Sequence, residues 1–117
     1  MTGIELIGAE RERQIKVKGW TTTHDDDHTE GELASAAVCY ASPLLIYQCE
    51  KLVNGVGFVD PWPRYWDDEW DKRGRNQNDE LVPNNQASPE KRIRDLVKAG
   101  ALIAAEIDRL QRVGDKV

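Results

Sequence analysis

A chain of 117 residues is long enough for one hydrophobic core and short for two. Its formal charge of -5 argues against binding of a nucleic-acid polymer, because such binding needs a basic surface, although a local cluster of Lys and Arg can still hold a small anion. With 39% apolar residues, the sequence predicts one folded domain over residues 1–117 and excludes a fully disordered chain.

Neither a membrane-spanning segment nor a signal peptide is visible in the sequence. Charged residues interrupt the longest apolar run well short of the ~20 residues that cross a bilayer. Cys39 lies in an apolar run and reads as a small buried side chain, and we expect both Cys39 and Cys49 to be reduced thiols. We therefore expect a cytoplasmic protein whose partners include neither a membrane nor a nucleic-acid polymer.

Three stretches with the apolar period of an α-helix predict a mainly α-helical domain of about three helices. The first covers residues 3–18. The second follows a loop at residues 21–29 and begins at Thr29, which forms a capping box with Glu32. The last covers residues 88–113. We expect the second and last helices to pack as an antiparallel core through their small residues, with the first helix laid across them.

Residues 50–87 form an irregular insertion between the second and last helices. Asn54-Gly55 favours a short β-hairpin within it. Residues 61–70 are rich in Trp and are expected to pack onto the helices, whereas residues 74–85 are expected to be a mobile loop.

The run from His24 to His28 combines two imidazoles with three carboxylates. His24, Asp26 and His28, with Glu32 beside them, offer nitrogen and oxygen ligands for a divalent metal, as in many hydrolytic sites. The same run also suits direct contact with an organic ligand and, above all, the capping of a helix N-terminus. Its spacing fits no zinc or calcium loop, so the three interpretations stay open.

Aromatic and basic residues are concentrated in the Trp-rich stretch. Trp62 and Trp66, together with Trp20, offer flat faces on which a nucleobase stacks, and Arg64 is a candidate phosphate partner. The alternative is that the tryptophans only seal a small core beneath the loop.

Two further cations lie on the predicted helices. Arg11 interrupts the apolar stripe of the first helix, where it either lays its stem over the core and keeps its head in water or points into a pocket and holds a carboxylate or phosphate. Lys98 lies on the polar side of the last helix, which is either a solvated face or, if it faces the aromatic loop, a phosphate contact.

Several segments together resemble a group of small proteins encoded by bacteriophages and prophages, most of which carry no assigned function. The segments are ERERQI, HDDDH followed by GEL, and RDLVKAGALI, and the resemblance covers nearly the whole chain except residues 53–60 and 74–87. It implies a viral accessory protein in the cytoplasm of a host cell, and it transfers no catalytic residues.

Two weaker resemblances bear on function. In size, origin and pocket chemistry, the chain is similar to phage sponges that sequester nucleotide signals of bacterial immune systems such as Thoeris and CBASS. It also shares short acidic helices with all-α nucleoside triphosphate pyrophosphatases of the MazG type. Their metal motif pairs ExxE with a later ExxD, which Glu30 and Glu32 do not match.

The leading functional hypothesis is an anti-defence protein that sequesters a small anionic nucleotide, without hydrolysis and without a cofactor. In this hypothesis the base stacks on Trp20, Trp62 and Trp66, the phosphates contact Arg11, Arg64 and Lys98, and the ribose hydroxyls contact His24 and Asp26. The low helix count favours a homo-oligomer. One alternative is a metal-dependent nucleotide hydrolase, and another is an inhibitor that binds a host defence enzyme through an exposed Trp loop.

Overall fold

The computed structural model describes residues 1–115. Four α-helices, one β-hairpin and two single turns of 3-10 helix follow one another along this part of the chain. In chain order they are α1 (Gly3–Lys16), α2 (Thr22–Asp26), α3 (Glu32–Ala41), β1 (Gln48–Leu52), β2 (Gly55–Val59), the 3-10 turns Asp68–Trp70 and Asn84–Gln86, and α4 (Pro89–Asp115). The predicted class, a small and mainly helical domain with a short hairpin, is confirmed.

α1 begins with a reciprocal cap and packs against α4. The hydroxyl of Thr2 accepts a hydrogen bond from the backbone N–H of Glu5 at 3.2 Å, and the Glu5 carboxylate accepts one from the backbone N–H of Thr2 at 3.0 Å. Ile7 meets α4 at Gly100, where a Cβ atom would lie 2.6 Å from Ile7 Cδ1. Gly100 therefore allows a close approach of the two helices.

The predicted loop at residues 21–29 contains a short helix, α2. Thr21 caps it by accepting a hydrogen bond from a free backbone N–H group. α3 then begins after Gly31, whose φ of +79° lies in the left-handed region that favours glycine. The predicted helix start at Thr29 is therefore wrong. The Glu32 carboxylate does fold back onto a preceding backbone N–H, as the capping-box pattern implied.

α3 and α4 form the core as an antiparallel pair. Arg92 at the start of α4 donates hydrogen bonds to the carbonyls of Tyr40, at 2.7 Å, and Ala41, which end α3. The predicted pairing is thus confirmed. Burying a leucine in such a core contributes about 1.5–3 kcal/mol. The side chains of the two helices that form the core are those of Leu33, Ala36, Ala37, Tyr40, Ala99, Leu102 and Ala105.

One face of α4 remains open to solvent. Five aliphatic side chains on it, spaced by three, four or seven residues, are between 45% and 54% exposed: Ile93, Leu96, Ile103, Ile107 and Leu110. They belong to the apolar stripe that the sequence pattern predicts. The fully buried side of α4 lies next to this stripe and carries mainly small residues. The apolar surface of α4 is therefore wider than the single face that it buries against its neighbours.

The irregular segment after the hairpin is tied to the helices by polar side chains. Asn84 is buried and donates hydrogen bonds to the carbonyls of Cys39 and Ser42 at 2.8 Å each. Arg73 bonds the carboxylates of Asp60, at 2.7 Å, and Asp71, at 2.8 Å. These contacts fasten the Trp-rich stretch over one end of the helical pair.

The hairpin closes at the predicted turn, where Leu52 pairs with Gly55. Both cysteines are free thiols, one buried and one exposed. No helix among residues 1–115 combines the length and the apolar character needed to cross a membrane.

Candidate ligand-binding site

A cavity of about 440 Å³ lies where α1, α4 and the Trp-rich stretch meet. Its volume is within the range of small-molecule sites, ~300–1,000 Å³. Most of its lining belongs to two chemical sets. The aromatic wall consists of Trp20, Tyr40, Trp62, Trp66 and Trp70, and the basic cluster consists of Lys72, Lys91, Arg94 and Lys98. Arg13, Gln14 and Lys18 add further polar groups from the first part of the chain.

Trp66 holds the aromatic wall together. Its ring centroid lies 5.6 Å from that of Trp62 and 5.4 Å from that of Trp70, with interplanar angles of 88° and 72°. Such edge-to-face contacts stabilise aromatic pairs beyond their burial alone. Trp66 is buried, whereas Trp20, Trp62 and Trp70 are only half-buried and keep part of their ring surface free.

Tyr40 joins the aromatic wall to α3 and to the basic cluster. Its hydroxyl donates a hydrogen bond to the carbonyl of Trp70 at 3.1 Å and accepts one from the backbone N–H of Lys72 at 2.9 Å. Burial raises the pKa of Tyr40, so the hydroxyl stays protonated. The ammonium of Lys98 lies 5.5 Å from the centroid of the same ring, in cation–π contact.

Lys98 is an unusual cation for a surface helix. Burial lowers its pKa from 10.5 to about 8, and the nearby charge of Lys91 lowers it further. Lys91 itself has a counter-ion, because its ammonium lies 2.6 Å from Asp95 Oδ1. The same ammonium also donates to the carbonyl of Lys72 at 2.7 Å, which fixes the loop above the start of α4.

The other cations of the basic cluster have no such partner. Among residues 1–114, no carboxylate forms an ion pair with Lys72, Arg94 or Lys98. The cavity also contains Glu10, but this carboxylate is held by the guanidinium of Arg13 at 2.7 Å. A protein with an excess of acidic residues therefore keeps several unpaired cations around one aromatic cavity.

The structure brings together four of the eight residues that the sequence assigned to a ligand: Trp20, Trp62, Trp66 and Lys98. The other four lie outside the cavity. Arg11 forms an ion pair with the fully buried Asp25, and Asp26 accepts hydrogen bonds from Arg112, the shorter at 2.8 Å.

Arg64 is exposed and lies 3.2 Å from Glu50, next to a smaller hollow that also borders Trp62. His24 lies behind the aromatic wall, where its ring stacks on Trp20 at 5.5 Å with an interplanar angle of 4°. Neither residue lines the 440 Å³ cavity.

His24 and His28 form a hydrogen-bonded chain behind this wall. Nδ1 of His24 lies 3.1 Å from Asp25 Oδ1, and Nδ1 of His28 lies 3.2 Å from Glu32 Oε2. The two Nε2 atoms face each other at 3.5 Å. The imidazoles therefore buttress Trp20 and Trp66 by ring contacts and are themselves oriented by carboxylates.

The described part of the chain contains no group of three or more His, Cys, Asp or Glu side chains arranged to hold a metal ion. Of the four residues considered as metal ligands, His24, His28 and Glu32 form the hydrogen-bonded chain, and Asp26 is directed to Arg112. The donor set of the hydrolase alternative is therefore not assembled into a metal site in this structure.

The ligand residues assigned from the sequence leave out Arg94 and Lys91 on the polar side of the last helix, Trp70 in the Trp-rich stretch, and Gln14, all of which line the cavity. A signal for the first two was present. Lys91, Arg94 and Lys98 recur at spacings of three and four, which places them on one side of α4, but a solvated helix face has the same pattern. Gln14 is buried at a position where the apolar stripe of α1 is interrupted.

Comparisons with known proteins add no information on function to the geometry of the cavity. The sequence matches no protein-family model, no curated protein and no solved structure. The functional argument therefore depends on the chemistry of the cavity.

Proposed function

We propose that the protein binds a small anionic nucleotide in the 440 Å³ cavity and sequesters it without chemical change. One observation carries this proposal: an aromatic wall and unpaired cations line the same cavity in a chain of net charge -5. Aromatic faces stack on nucleobases, at about 1–3 kcal/mol per base, and Lys and Arg bind phosphate groups. The two sets of side chains match the two ends of a nucleotide.

In this proposal the base lies on the half-buried rings. Trp20 and Trp70 are only partly buried, so part of each ring surface is free for a base. The ring of Trp66 contacts both and fixes their positions. The phosphate end then lies against α4, where Arg94 and Lys98 supply positive charge.

The lining favours binding over turnover. Among the described residues that line the cavity, there is no Ser, Thr, Cys or His to serve as nucleophile or general base. The one hydroxyl, that of Tyr40, is engaged in two hydrogen bonds and its pKa is raised by burial. Of the two carboxylates in the lining, Glu10 is bound by Arg13, and Glu69 is exposed on the 3-10 turn Asp68–Trp70.

The proposed biological source of the ligand rests on the sequence resemblance alone. Similarity to small phage proteins and to sponges of immune signals makes a signalling nucleotide of the Thoeris or CBASS type the candidate, bound in the host cytoplasm. The cavity chemistry supports a nucleotide, and the resemblance supports this particular role.

We also propose that two copies associate through the open face of α4. The exposed positions are spaced by three, four or seven residues and carry no charge, as in the seam of a coiled coil. In an antiparallel pair of α4 helices, Ile93 would meet Leu110 of the second copy, and Leu96 would meet Ile107, so the face is complementary to itself.

The test of sequestration is a depletion experiment. Purified protein is mixed with linear nucleotides, cyclic dinucleotides and ADP-ribose derivatives, and the free pool is analysed by chromatography before and after heat denaturation. We expect at least one nucleotide to disappear and to return unchanged on heating. Return of a different product would show an enzyme, and a panel that stays wholly free would overturn the proposal.

A further inference from the structure

The positive charge of the cavity, and the spacing of its cations along α4, restrict the kinds of nucleotide that fit. We propose that the ligand carries a diphosphate unit, two phosphoryl groups joined by one oxygen, and that this unit lies between Lys72, Arg94 and Lys98. This inference rests on the proposed function and names the ligand class for the same cavity. The diphosphate is either terminal, as in a nucleoside diphosphate, or bridging, as in ADP-ribose.

The first argument is the number of unpaired charges. Six cations and two carboxylates line the cavity, and a further carboxylate, Asp95, pairs with Lys91. The net charge of these nine side chains is +3, and within residues 1–114 four of the cations form no ion pair: Lys18, Lys72, Arg94 and Lys98. A phosphate monoester brings only about -1.5 to -2 at pH 7, so a single phosphate leaves part of this charge uncompensated. A nucleoside diphosphate carries more charge than a monoester, whereas a bridging diphosphate carries no more and is favoured only because its two phosphoryl groups are adjacent.

The second argument is the spacing of the cations. Arg94 and Lys98 are one turn apart on α4, with ~6 Å of rise between them, and side chains at this spacing lie side by side. Lys72 approaches from the loop, because its backbone N–H is bound to the hydroxyl of Tyr40 and its carbonyl to Lys91. The three cations therefore come from two directions, two along α4 and one from the loop, as an anion with two adjacent phosphoryl groups can use.

The third argument is the position of Lys98 relative to the base. Its ammonium lies over the ring of Tyr40, which belongs to the aromatic wall. A phosphoryl group on Lys98 is then next to the stacked base, and a second phosphoryl group reaches Arg94 further from it. Adjacent phosphoryl groups fit this path, whereas the separated phosphates of a cyclic dinucleotide do not.

The inference is tested by measuring dissociation constants of AMP, ADP, ADP-ribose and cyclic di-AMP by isothermal titration calorimetry at fixed pH and salt. We expect ADP and ADP-ribose to bind roughly ten-fold or more tightly than AMP and cyclic di-AMP, the effect of one more charge-assisted contact. The relative affinities of ADP and ADP-ribose then distinguish a terminal from a bridging diphosphate.

Single-residue variants test which cations are responsible for the preference for a diphosphate. Arg94→Gln and Lys98→Gln should each reduce the ADP over AMP ratio to near one, whereas Lys16→Gln, an exposed lysine on α1 outside the cavity, should leave it unchanged. Circular dichroism of each variant establishes that it is folded. Equal affinity for AMP and ADP, or tighter binding of cyclic di-AMP, would overturn the diphosphate while leaving nucleotide binding intact. Absence of binding by all four nucleotides would contradict both proposals.

Discussion

At the scale of single residues, Lys98 is where stability and binding conflict. Its charged form is disfavoured by burial and by Lys91, which is why its pKa falls to about 8. No carboxylate among residues 1–114 forms an ion pair with it, whereas the buried Asp95 does pair with Lys91. A cation kept at this cost is the kind of residue that a binding site retains for its ligand.

Replacing Lys98 by Met should therefore stabilise the free protein and weaken nucleotide binding. We expect the free energy of unfolding at pH 7 to rise by about 1 kcal/mol, allowing for solvent screening, since an apolar side chain removes the desolvation cost. Urea denaturation measures this change. The matched variant Lys16→Met, at a lysine that is 71% exposed, should alter neither property. Loss of stability in Lys98→Met would contradict this account.

The pH dependence of binding should follow the same lysine. A bound anion favours the ammonium form and raises the pKa of Lys98, so binding takes up protons near pH 8 and the affinity falls as the pH rises above 8. The free protein behaves oppositely: because the folded pKa is below the unfolded value, Lys98 contributes a gain in stability between pH 8 and 10.5. Calorimetric titration at pH 7 and pH 9 checks the first trend, and an affinity that is equal at both would contradict it.

Residue type alone identified part of the site. Trp20, Trp62, Trp66 and Lys98 were predictable because stacking and phosphate binding require such side chains, and the structure places them around one cavity. The pairing of Arg11 with Asp25 was not predictable. An Arg in an apolar stripe suits a ligand or an internal carboxylate equally, and the carboxylate lies on a short helix that the sequence pattern did not reveal.

At the scale of secondary-structure elements, the position of α1 on α4 shapes the cavity. Gly100 is the contact point, and α1 supplies Glu10, Arg13 and Gln14 to the lining. Helices of adequate length and period were predictable from the sequence, and so was the α3–α4 pair. α2 has five residues, too few for a periodic signal, and it can form only because Thr21 caps it and the fold supports it.

Gly100→Ala should push α1 away from α4. The added Cβ would lie 2.6 Å from Cδ1 and 2.8 Å from Cγ1 of Ile7, and we expect a net loss of about 1 kcal/mol in stability together with weaker nucleotide binding. Gly8→Ala is the matched control, because its Cβ meets nothing within 4 Å and helix propensity favours alanine. The double variant with Ile7→Ala should regain binding; failure to regain it would show that the contact does not shape the cavity.

Removing the Asn84 side chain should destabilise the Trp-rich stretch as much as truncating a core residue. Its amide donates to the backbone carbonyls of Cys39 and Ser42 at the end of α3, and these would lose this donor where the loop covers them. Asn84→Ala should cost about 2 kcal/mol of stability and increase the proteolysis rate of the loop. Limited proteolysis measures the second effect. A loop that is cleaved no faster than in the wild type would contradict the role given to Asn84.

At the scale of the whole molecule, one helix serves two surfaces. α4 carries the basic cluster on the side that faces the cavity and an uncharged aliphatic stripe on the side that stays open. The sequence predicted the stripe and the packing of α3 against α4 through small residues, but not that the larger Ile and Leu side chains would stay exposed. Small residues such as Ala99 and Ala105 allow α3 to approach closely, so the core forms there and the larger Ile and Leu side chains are left outside.

Charging the open stripe should separate the proposed dimer. Ile103→Glu places a carboxylate in the middle of the apolar seam, and we expect a change from dimer to monomer in sedimentation equilibrium, with nucleotide binding retained. Asp108→Glu, at an exposed position off the seam, should leave the dimer unchanged. A wild-type protein that is monomeric at high concentration would contradict the assignment of this face.

The central claim is that a nucleotide binds between the aromatic wall and the basic cluster. The most direct measurement is a titration of ¹⁵N-labelled protein with ADP, followed through the side-chain indole N–H signals of its four tryptophans. All four indoles line the cavity, so saturable shifts of these signals are predicted, with loss of the shifts in Lys98→Gln. Binding that leaves every indole signal in place would contradict the claim.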